Sequence, residues 1–267
     1  MTALPLSCYI RTQNEARNIT KVVKACLGVA AEVVVIDAGS TDGTPELAAA
    51  AGARVIHNDW PGNGFQKRIG EEACQYDWLL DIDGDEVITE ALAADIRALF
   101  ANGEPAHSVY EIKMIHAPPV GEPWWGFNPT WRRKLYDRRR YRMPEHRIWD
   151  QLDIGKSETV PALKGEILHY AFKDVEHVVA KYNGRSTARA RDGKRKSKTD
   201  LTLRLWFGLP VYFLKQFLGR GLIRAGTYGL IFALCSAYMR WLRDAKMYEM
   251  ILKEEETSKR LFQKVGV

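Results

Sequence analysis

Leu79-Leu80-Asp81-Ile82-Asp83-Gly84-Asp85-Glu86 sets four carboxylates at the end of an apolar run. Tyr76 to Ile82 has the length and apolar character of a buried strand, and Gly84 permits a tight turn that brings Asp83 and Asp85 to one side. Two carboxylates so close repel each other unless a cation lies between them. Oxygen-only ligands suit Mg²⁺ or Mn²⁺, and Mg²⁺ binds one or two protein carboxylates together with substrate phosphates. The stretch reads as a metal-diphosphate site, with a solvated turn as the plain alternative. An EF-hand loop fits badly: counted from Asp81, the positions that need Gly and Glu hold Glu86 and Leu92.

Upstream of this strand, helical and strand patterns alternate. Leu4 to Ile10 reads as a strand, and Asn14-Glu15-Ala16-Arg17-Asn18 leads into a helix ending near Gly28. Glu32 to Asp37 contains Val-Val-Val-Ile without polar alternation, as expected of a parallel strand covered on both faces. Thr44-Pro45 supplies an N-cap and a first-turn proline for a helix to Ala51. Arg54 to Asn58 is a third strand, and Gln66 to Gln75 is helical. The pattern βαβαβαβ predicts an α/β fold with a Rossmann-like, mostly parallel sheet flanked by helices, and ligands at the carboxyl ends of its strands.

Downstream, Glu90 to Phe100 reads as an amphipathic helix and Val109 to Ile115 as a strand. Pro118 to Trp131 reads as an irregular aromatic loop. A short strand follows near Gly165 to His169, then a helix from Val175 to Arg191, and Leu201 to Met250 is helical and apolar, punctuated by Arg and Lys. The last residues read as a charged helix end. Residues 1–170 therefore read as an α/β domain and 171–267 as a helical appendage.

At 267 residues, 46% of them hydrophobic, the chain can bury one large core, or one domain with an appendage. Its net charge of +6 conceals an asymmetry: residues 1–100 carry 8 Lys+Arg against 15 Asp+Glu, the remainder 31 against 18. The basic part could face phosphate, anionic lipid or nucleic acid. Cys8, Cys26, Cys74 and Cys235 are scattered, so reduced thiols are expected rather than zinc or disulfides. No basic region precedes the N-terminal apolar stretch and no small-residue cleavage site follows it, which predicts a cytoplasmic protein. The longest charge-free apolar run, Ala225 to Met239, is shorter than the roughly 20 residues of a membrane-spanning helix.

Three features fall at the carboxyl ends of successive strands: Thr12-Gln13-Asn14-Glu15, Asp37 with its Gly-Ser-Thr-Asp-Gly loop, and Asp83-Gly84-Asp85. In order and spacing they resemble family 2 of the inverting nucleotide-diphospho-sugar glycosyltransferases, which have the GT-A fold. Beyond the sheet the resemblance narrows to the lipopolysaccharide-core β-glucosyltransferase group, whose members carry a Trp-rich segment, Arg-Leu-Phe and then Val-His-Glu. Here stand Trp124-Trp125, Lys134-Leu135-Tyr136 and Ile148-Trp149-Asp150, so Lys replaces Arg and Trp-Asp replaces His-Glu.

The resemblance implies a role for each matching residue. Asp37 hydrogen-bonds the base or ribose of a nucleotide-sugar donor, or else caps its own loop. Thr12 and Glu15 line the same pocket, with helix capping the alternative for Glu15. Asp85 is the direct ligand of Mg²⁺ or Mn²⁺, and Asp83 contacts the ribose, or the metal through water. Glu86 is equally a helix-start carboxylate. Gly64, Gln66, Lys67 and Arg68 match the family loosely: Lys67 or Arg68 approaches the donor, or both lie on a solvated helix face. Asp150 is the general base, its carboxyl raised by burial beside Trp149, against the plainer reading of a surface salt bridge with a nearby Arg. Glu145 is the reserve, and His146 is structural or faces the acceptor. His169, in His169-Tyr170, completes the metal or phosphate site or is a core histidine. Trp124, Trp125 and Trp131 stack on a sugar or simply pack. Arg132-Arg133-Lys134 with Arg138, Arg139, Arg140 and Arg142 binds an acceptor's anionic groups or forms a solvated face.

From Leu201 to Leu242, aromatic and aliphatic residues alternate with basic borders, as in helices that lie in a membrane interface. Core packing or a dimer surface would give the same pattern. The reading that joins these parts is transfer of a sugar, from a UDP-linked hexose, to a lipid-linked glycan such as lipopolysaccharide core, at the inner face of the cytoplasmic membrane. A sugar-nucleotidyltransferase would need a Gly-rich loop after the first strand, where Arg-Thr-Gln-Asn-Glu stands. A non-catalytic basic membrane-binding protein is the third possibility. No nucleic acid is expected, because no binding motif accompanies the charge.

Overall fold

The computed structural model describes the chain at residues 4–155 and 158–265, with side chains except at 259 and 261–265, so the expected charged helix end falls partly outside the described residues. Two compact units emerge: one runs through Ala117 and from Gly121 to Ala171, the other takes Pro118–Val120 and the chain from Phe172 onward.

The first unit is built on an eight-stranded sheet in the order β3-β2-β1-β4-β7-β6-β8-β5. β1 (Leu4–Thr12), β2 (Ala30–Asp37), β3 (Arg54–His57) and β4 (Trp78–Asp83) run parallel, connected by α1 (Ile19–Leu27), α2 (Thr44–Ala50) and α3 (Asn63–Ala73). The predicted βαβαβαβ order is present, because β1, β2 and β4 are apolar runs that helices can cover on both faces, with β3 a short edge strand beside them. Ile10, Val35, Leu80 and Ile82 are fully buried in the main core with Ile19, Val22 and Val23 of α1.

Two elements differ from expectation. Glu86–Ile88 is a short strand, β5, rather than the start of α4 (Glu90–Leu99), which Thr89 caps by accepting the Leu92 amide. Residues 130–137, expected as loop and basic cluster, form β7, which bridges β4 and β6 (Val109–His116) in antiparallel register. Its outer half, Thr130 to Arg133, is polar and partly exposed, so only Leu135 and Tyr136 carried a strand signal.

β5 pairs with β8 (Ala162–His169) at the far edge of the sheet, four places from β4. Four strand spacings in a flat sheet span about 19 Å. The three residue steps from Asp83 to Glu86 cover about 11 Å at most. The sheet therefore curls, bringing the β5–β8 edge under the end of β4. This curl is what places His169 beside the Asp83-Gly84-Asp85 turn.

The second unit comprises α5 (Val175–Asp192), α6 (Lys198–Leu214) and α7 (Gly226–Val265), with α5 and α6 both packed on α7. Asp174 and Ser197 cap α5 and α6 by accepting the His177 and Asp200 amides. The helix expected to run unbroken from Leu201 to Met250 is interrupted by a π turn at Lys215–Gly219 and a 3₁₀ turn at Leu222–Ala225. Gly221 and Gly226, at φ +75° and +57°, adopt the left-handed backbone that reverses the chain.

Candidate active site

The turns after β1 and β2 interlock. Asn14, at φ +55°, accepts the Thr41 amide on its side-chain oxygen, and its own amide donates to the Ser40 hydroxyl. The Glu15 and Ala16 amides donate to Thr44 Oγ1 and Asp42 Oδ2. Asp37 is buried and accepts the Gly39 and Ser40 amides on one oxygen and the Ser40 hydroxyl on the other. Its side chain thus builds its own loop, and the three bonds leave acceptor capacity on Oδ1. Thr44 is not the N-cap of α2: Gly43 holds that place at φ +83°, and Thr44 Oγ1 donates to Asp42. Glu15 accepts from Asn18 and lies 3.5 Å from Arg17 Nε, at the entry to α1.

Gly84 is required for a reason other than the expected one. A Cβ there would stand 2.5 Å from Thr12 Oγ1, so the turn after β4 is pressed against the end of β1. Thr12 is buried, and its hydroxyl has no hydrogen-bond partner.

Asp83 and Asp85 diverge. Asp83 accepts from Arg11 on both oxygens, at 2.6 and 3.1 Å, and burial, which would raise its carboxyl, is overcome by Arg11, Lys134 and Lys67, which hold it well below the usual range. Asp85 Oδ2 instead lies 3.5 Å from His169 Nε2. Asp83 is the last residue of β4 and faces a guanidinium already in the fold, whereas Asp85 lies beyond Gly84 in the turn and faces His169. Burial works against the charge of His169, but Asp85, helped by Glu86 and Asp83, raises its pKa above the ordinary value. His169 Nδ1 is buried without a partner, and the His116 ring lies 5.7 Å away.

Beneath the turn is a layer of buried charge. Lys67 Nζ lies 2.6 Å from Asp81 Oδ2, and Lys134 Nζ lies 2.5 Å from Glu86 and 3.9 Å from Asp81. All four side chains are at most 2% exposed. Burial alone would discharge Lys134, but Asp81, Glu86 and Asp83 raise its pKa instead. Glu86 also accepts the Asp83 amide, 2.9 Å away, so it is neither a metal ligand nor a helix-start carboxylate. Lys67 and Arg68 leave the places proposed for them: Lys67 lies inside this layer, and Arg68 donates to the Met143 carbonyl.

Arg11 joins the motif to the proposed base. Its guanidinium bonds Asp83, lies 2.8 Å from Asp150 Oδ2, and has Lys67 as a neighbour 3.8 Å from the same oxygen. Asp150 rides on a loop pressed onto the start of α3: the Asn63 and Gly64 amides donate to the Arg147 and His146 carbonyls. A Cβ on Gly64 would meet the Pro144 oxygen at 2.2 Å, which explains the glycine. His146 is structural, accepting the Ile148 and Trp149 amides on Nδ1. The apolar shield expected of Trp149 is absent, since that ring is 56% exposed; two cations stand against Asp150 instead. Glu145 is largely exposed and 3.9 Å from Arg68.

The anticipated basic cluster is dispersed. Arg138 donates to Asp77 and to the Glu71 and Cys74 carbonyls, Arg139 binds Asp137 and Glu104, and Arg142 pairs with Glu71 and Glu72. Trp124 is buried and stacks on Phe127, whereas Trp125 and Trp131 remain about half exposed. Arg11 and Lys134 are the site residues whose roles were missed. The available signal was a lone charge beside apolar residues in a strand buried on both faces, as in Tyr9-Ile10-Arg11 and Lys134-Leu135-Tyr136.

A sheet whose first four strands run parallel, with an acidic turn at the end of the fourth, fits a glycosyltransferase. The chain belongs to the family described as Glycosyl transferase family 2, whose profile matches residues 7–156. It is 29% identical over 262 residues to the lipopolysaccharide core biosynthesis glycosyltransferase LpsC of Rhizobium meliloti (strain 1021), covering 92% of this chain and 93% of that one. An uncharacterized glycosyltransferase of Rickettsia bellii (strain RML369-C) is 28% identical over 257 residues, 93% of this chain and 87% of its own length. Among solved structures, glucosyl-3-phosphoglycerate synthase from Mycobacterium tuberculosis, in complex with Mn²⁺, uridine diphosphate and glucosyl-3-phosphoglycerate, aligns at a TM-score of 0.35 and 24% identity, over 43% of this chain and 44% of that one.

Proposed function

We propose that this glycosyltransferase moves a hexose, with inversion, from a UDP-linked donor to a lipid-linked glycan such as lipopolysaccharide core, as a peripheral protein at the inner face of the cytoplasmic membrane. The observation that carries the chemistry is the approach of His169 Nε2 to Asp85 Oδ2 at 3.5 Å, at the end of β4. A carboxylate oxygen and an imidazole nitrogen at this distance can both reach one small divalent cation. Asp85 and His169 would hold Mg²⁺ or Mn²⁺, with the donor diphosphate and water completing its shell. When bound, the ion supplies positive charge against the leaving nucleoside diphosphate.

Around that centre, the laced turns after β1 and β2 form the floor for the nucleoside, and Arg11 and the buried lysines balance the acidic turn. Asp150 takes the proton of the acceptor hydroxyl. The hydroxyl oxygen then bonds to the anomeric carbon as the bond to the diphosphate oxygen breaks, and the electron pair departs with the nucleoside diphosphate. Both cations of Asp150 fall on Oδ2, which assigns the proton to Oδ1.

The test is release of nucleoside diphosphate by purified protein given candidate donors, Mg²⁺ or Mn²⁺ and extracted core acceptor. Turnover should need the metal and fall about 10³-fold in Asp85→Asn. Asp150→Asn should abolish transfer while donor affinity changes little. Full turnover by Asp150→Asn would remove the base from that residue; no metal-dependent turnover with any donor would sink the reading.

A further inference from the structure

From the second unit we infer that an exposed apolar stripe on α6, with a shorter one on α7, docks this chain on an anionic bilayer surface. The inference deepens the membrane location proposed above by naming the surface and the lipid charge. The stripe consists of Leu203, Trp206, Phe207, Val211, Leu214 and Leu218, each at least half exposed and Trp206 78% so. At about 100° per residue the five on α6 fall within an arc of roughly 140°, and Leu218 follows in the π turn. Leu230, Leu234 and Tyr238 repeat every fourth residue on α7 and are exposed as well. Burying such residues inside a soluble unit is the rule for large aromatic and aliphatic side chains, and a contiguous exposed stripe marks an interaction surface.

Charge identifies the occupant. Residues 172–267 carry 20 Lys+Arg against 9 Asp+Glu, and between Arg204 and Arg240 there is no acidic residue at all. Lys215, Arg220 and Arg224 are exposed at the turn between the two helices. Arg204 falls on α6 about 20° beyond the edge of the stripe and Lys215 directly follows the helix, where long side chains can lay their stems on apolar surface and lift their charges to phosphate. A helix with an apolar face, a Trp in it and cations along its border is suited to the headgroup region of a leaflet rich in anionic lipid.

Lying on the membrane fits better than crossing it. Leu222–Ser258 is long and apolar enough to span by length and composition, with mean hydropathy 1.3. Its charge-free part, Ala225 to Met239, reaches only about 22 Å as a helix, short of the roughly 30 Å hydrocarbon core. Ala233 and Ala237 on that segment are fully buried against protein.

The experiment is sedimentation of the full chain with vesicles of phosphatidylcholine alone and with about one-third phosphatidylglycerol. Binding should be at least about 10-fold tighter to the anionic vesicles and weaken with salt. The double variant Trp206→Asp, Phe207→Asp should lose at least about 10-fold in binding. Its thermal melt should be unchanged, because both side chains are exposed. Equal vesicle binding by the variant overturns the inference. So does a dimer that the variant dissociates, which would give the stripe to a second copy, and so does retention through alkaline carbonate extraction, which would mean a crossing helix. Nucleoside diphosphate release in lipid-free solution separates the two readings: a wild type that binds vesicles but turns over no donor refutes the proposed reaction and leaves the docking surface standing.

Discussion

The two units of this chain break opposite rules of solvent exposure. In the catalytic unit, Lys67, Asp81, Glu86 and Lys134 are withdrawn from water under the acidic turn. In the helical unit, Trp206 and Phe207 are handed to it, 78% and 67% exposed. Each departure costs stability, and each is found where an ordinary soluble core would have avoided it. Buried charge fixes one geometry for the acidic turn, whereas exposed apolar surface leaves something still to be covered.

The largest expected effect follows from the buried layer. Lys134→Met leaves Glu86 and Asp81 facing each other with a counter-ion gone, and should cost about 3–5 kcal/mol in urea unfolding. Adding Glu86→Gln should recover much of that loss, because the uncompensated charge is what is expensive. If Lys134→Met proved neutral, the layer would be solvated and the contrast between the units would lose its first half.

Next in size is Arg11→Ala. The guanidinium holds Asp150 and Asp83 together, so its loss should lower kcat about 10–100-fold and leave donor KM within about 3-fold, with Arg11→Lys partly restoring rate. A large rise in donor KM at unchanged kcat would make Arg11 a donor ligand instead of a positioning residue.

The first half of the sheet was legible because parallel strands covered on both faces read as apolar runs, and glycine and acidic turns mark their ends. β7 was not, because its outer half is polar and partly exposed, and nothing local announces that residues 130–137 lie between β4 and β6. The site residues were legible as a set and misread in their directions. Asp37 bonds within its own loop, three residues away, but Arg68 turns to a carbonyl 75 residues on, and Arg11 meets Asp83 across adjacent strands and Asp150 through the loop on α3, partners 72 and 139 residues away. His169 was singled out from a dipeptide, and its place beside Asp85 depends on the curl of the sheet.

The helical unit has one buried charge among its described residues, Asp244, which accepts from Lys196 at 2.6 Å, Tyr212 at 2.8 Å and Arg243. Burial would raise its carboxyl, but Lys196, Tyr212 and Arg243 together lower it. A carboxylate lowered in the folded state contributes stability that is present above its unfolded pKa, about 3.9, and is lost as pH falls through its folded value. Asp244→Asn should therefore cost about 2 kcal/mol at neutral pH, with the gap to the wild type closing in acid. A gap that stayed constant down to pH 2 would assign the loss to packing.

The smallest effect is expected from an ion pair of similar length in a different place. Arg195 lies 2.9 Å from Glu254, against 2.5 Å for Lys134 and Glu86, but its side chain is 83% exposed. Water solvates both partners when the pair opens, and holding two long side chains together costs rotamer freedom. Arg195→Ala should leave the urea midpoint within experimental error. A shift approaching that of Lys134→Met would show that burial does not set the worth of these pairs, and that the ordering of the two units by solvent exposure is wrong.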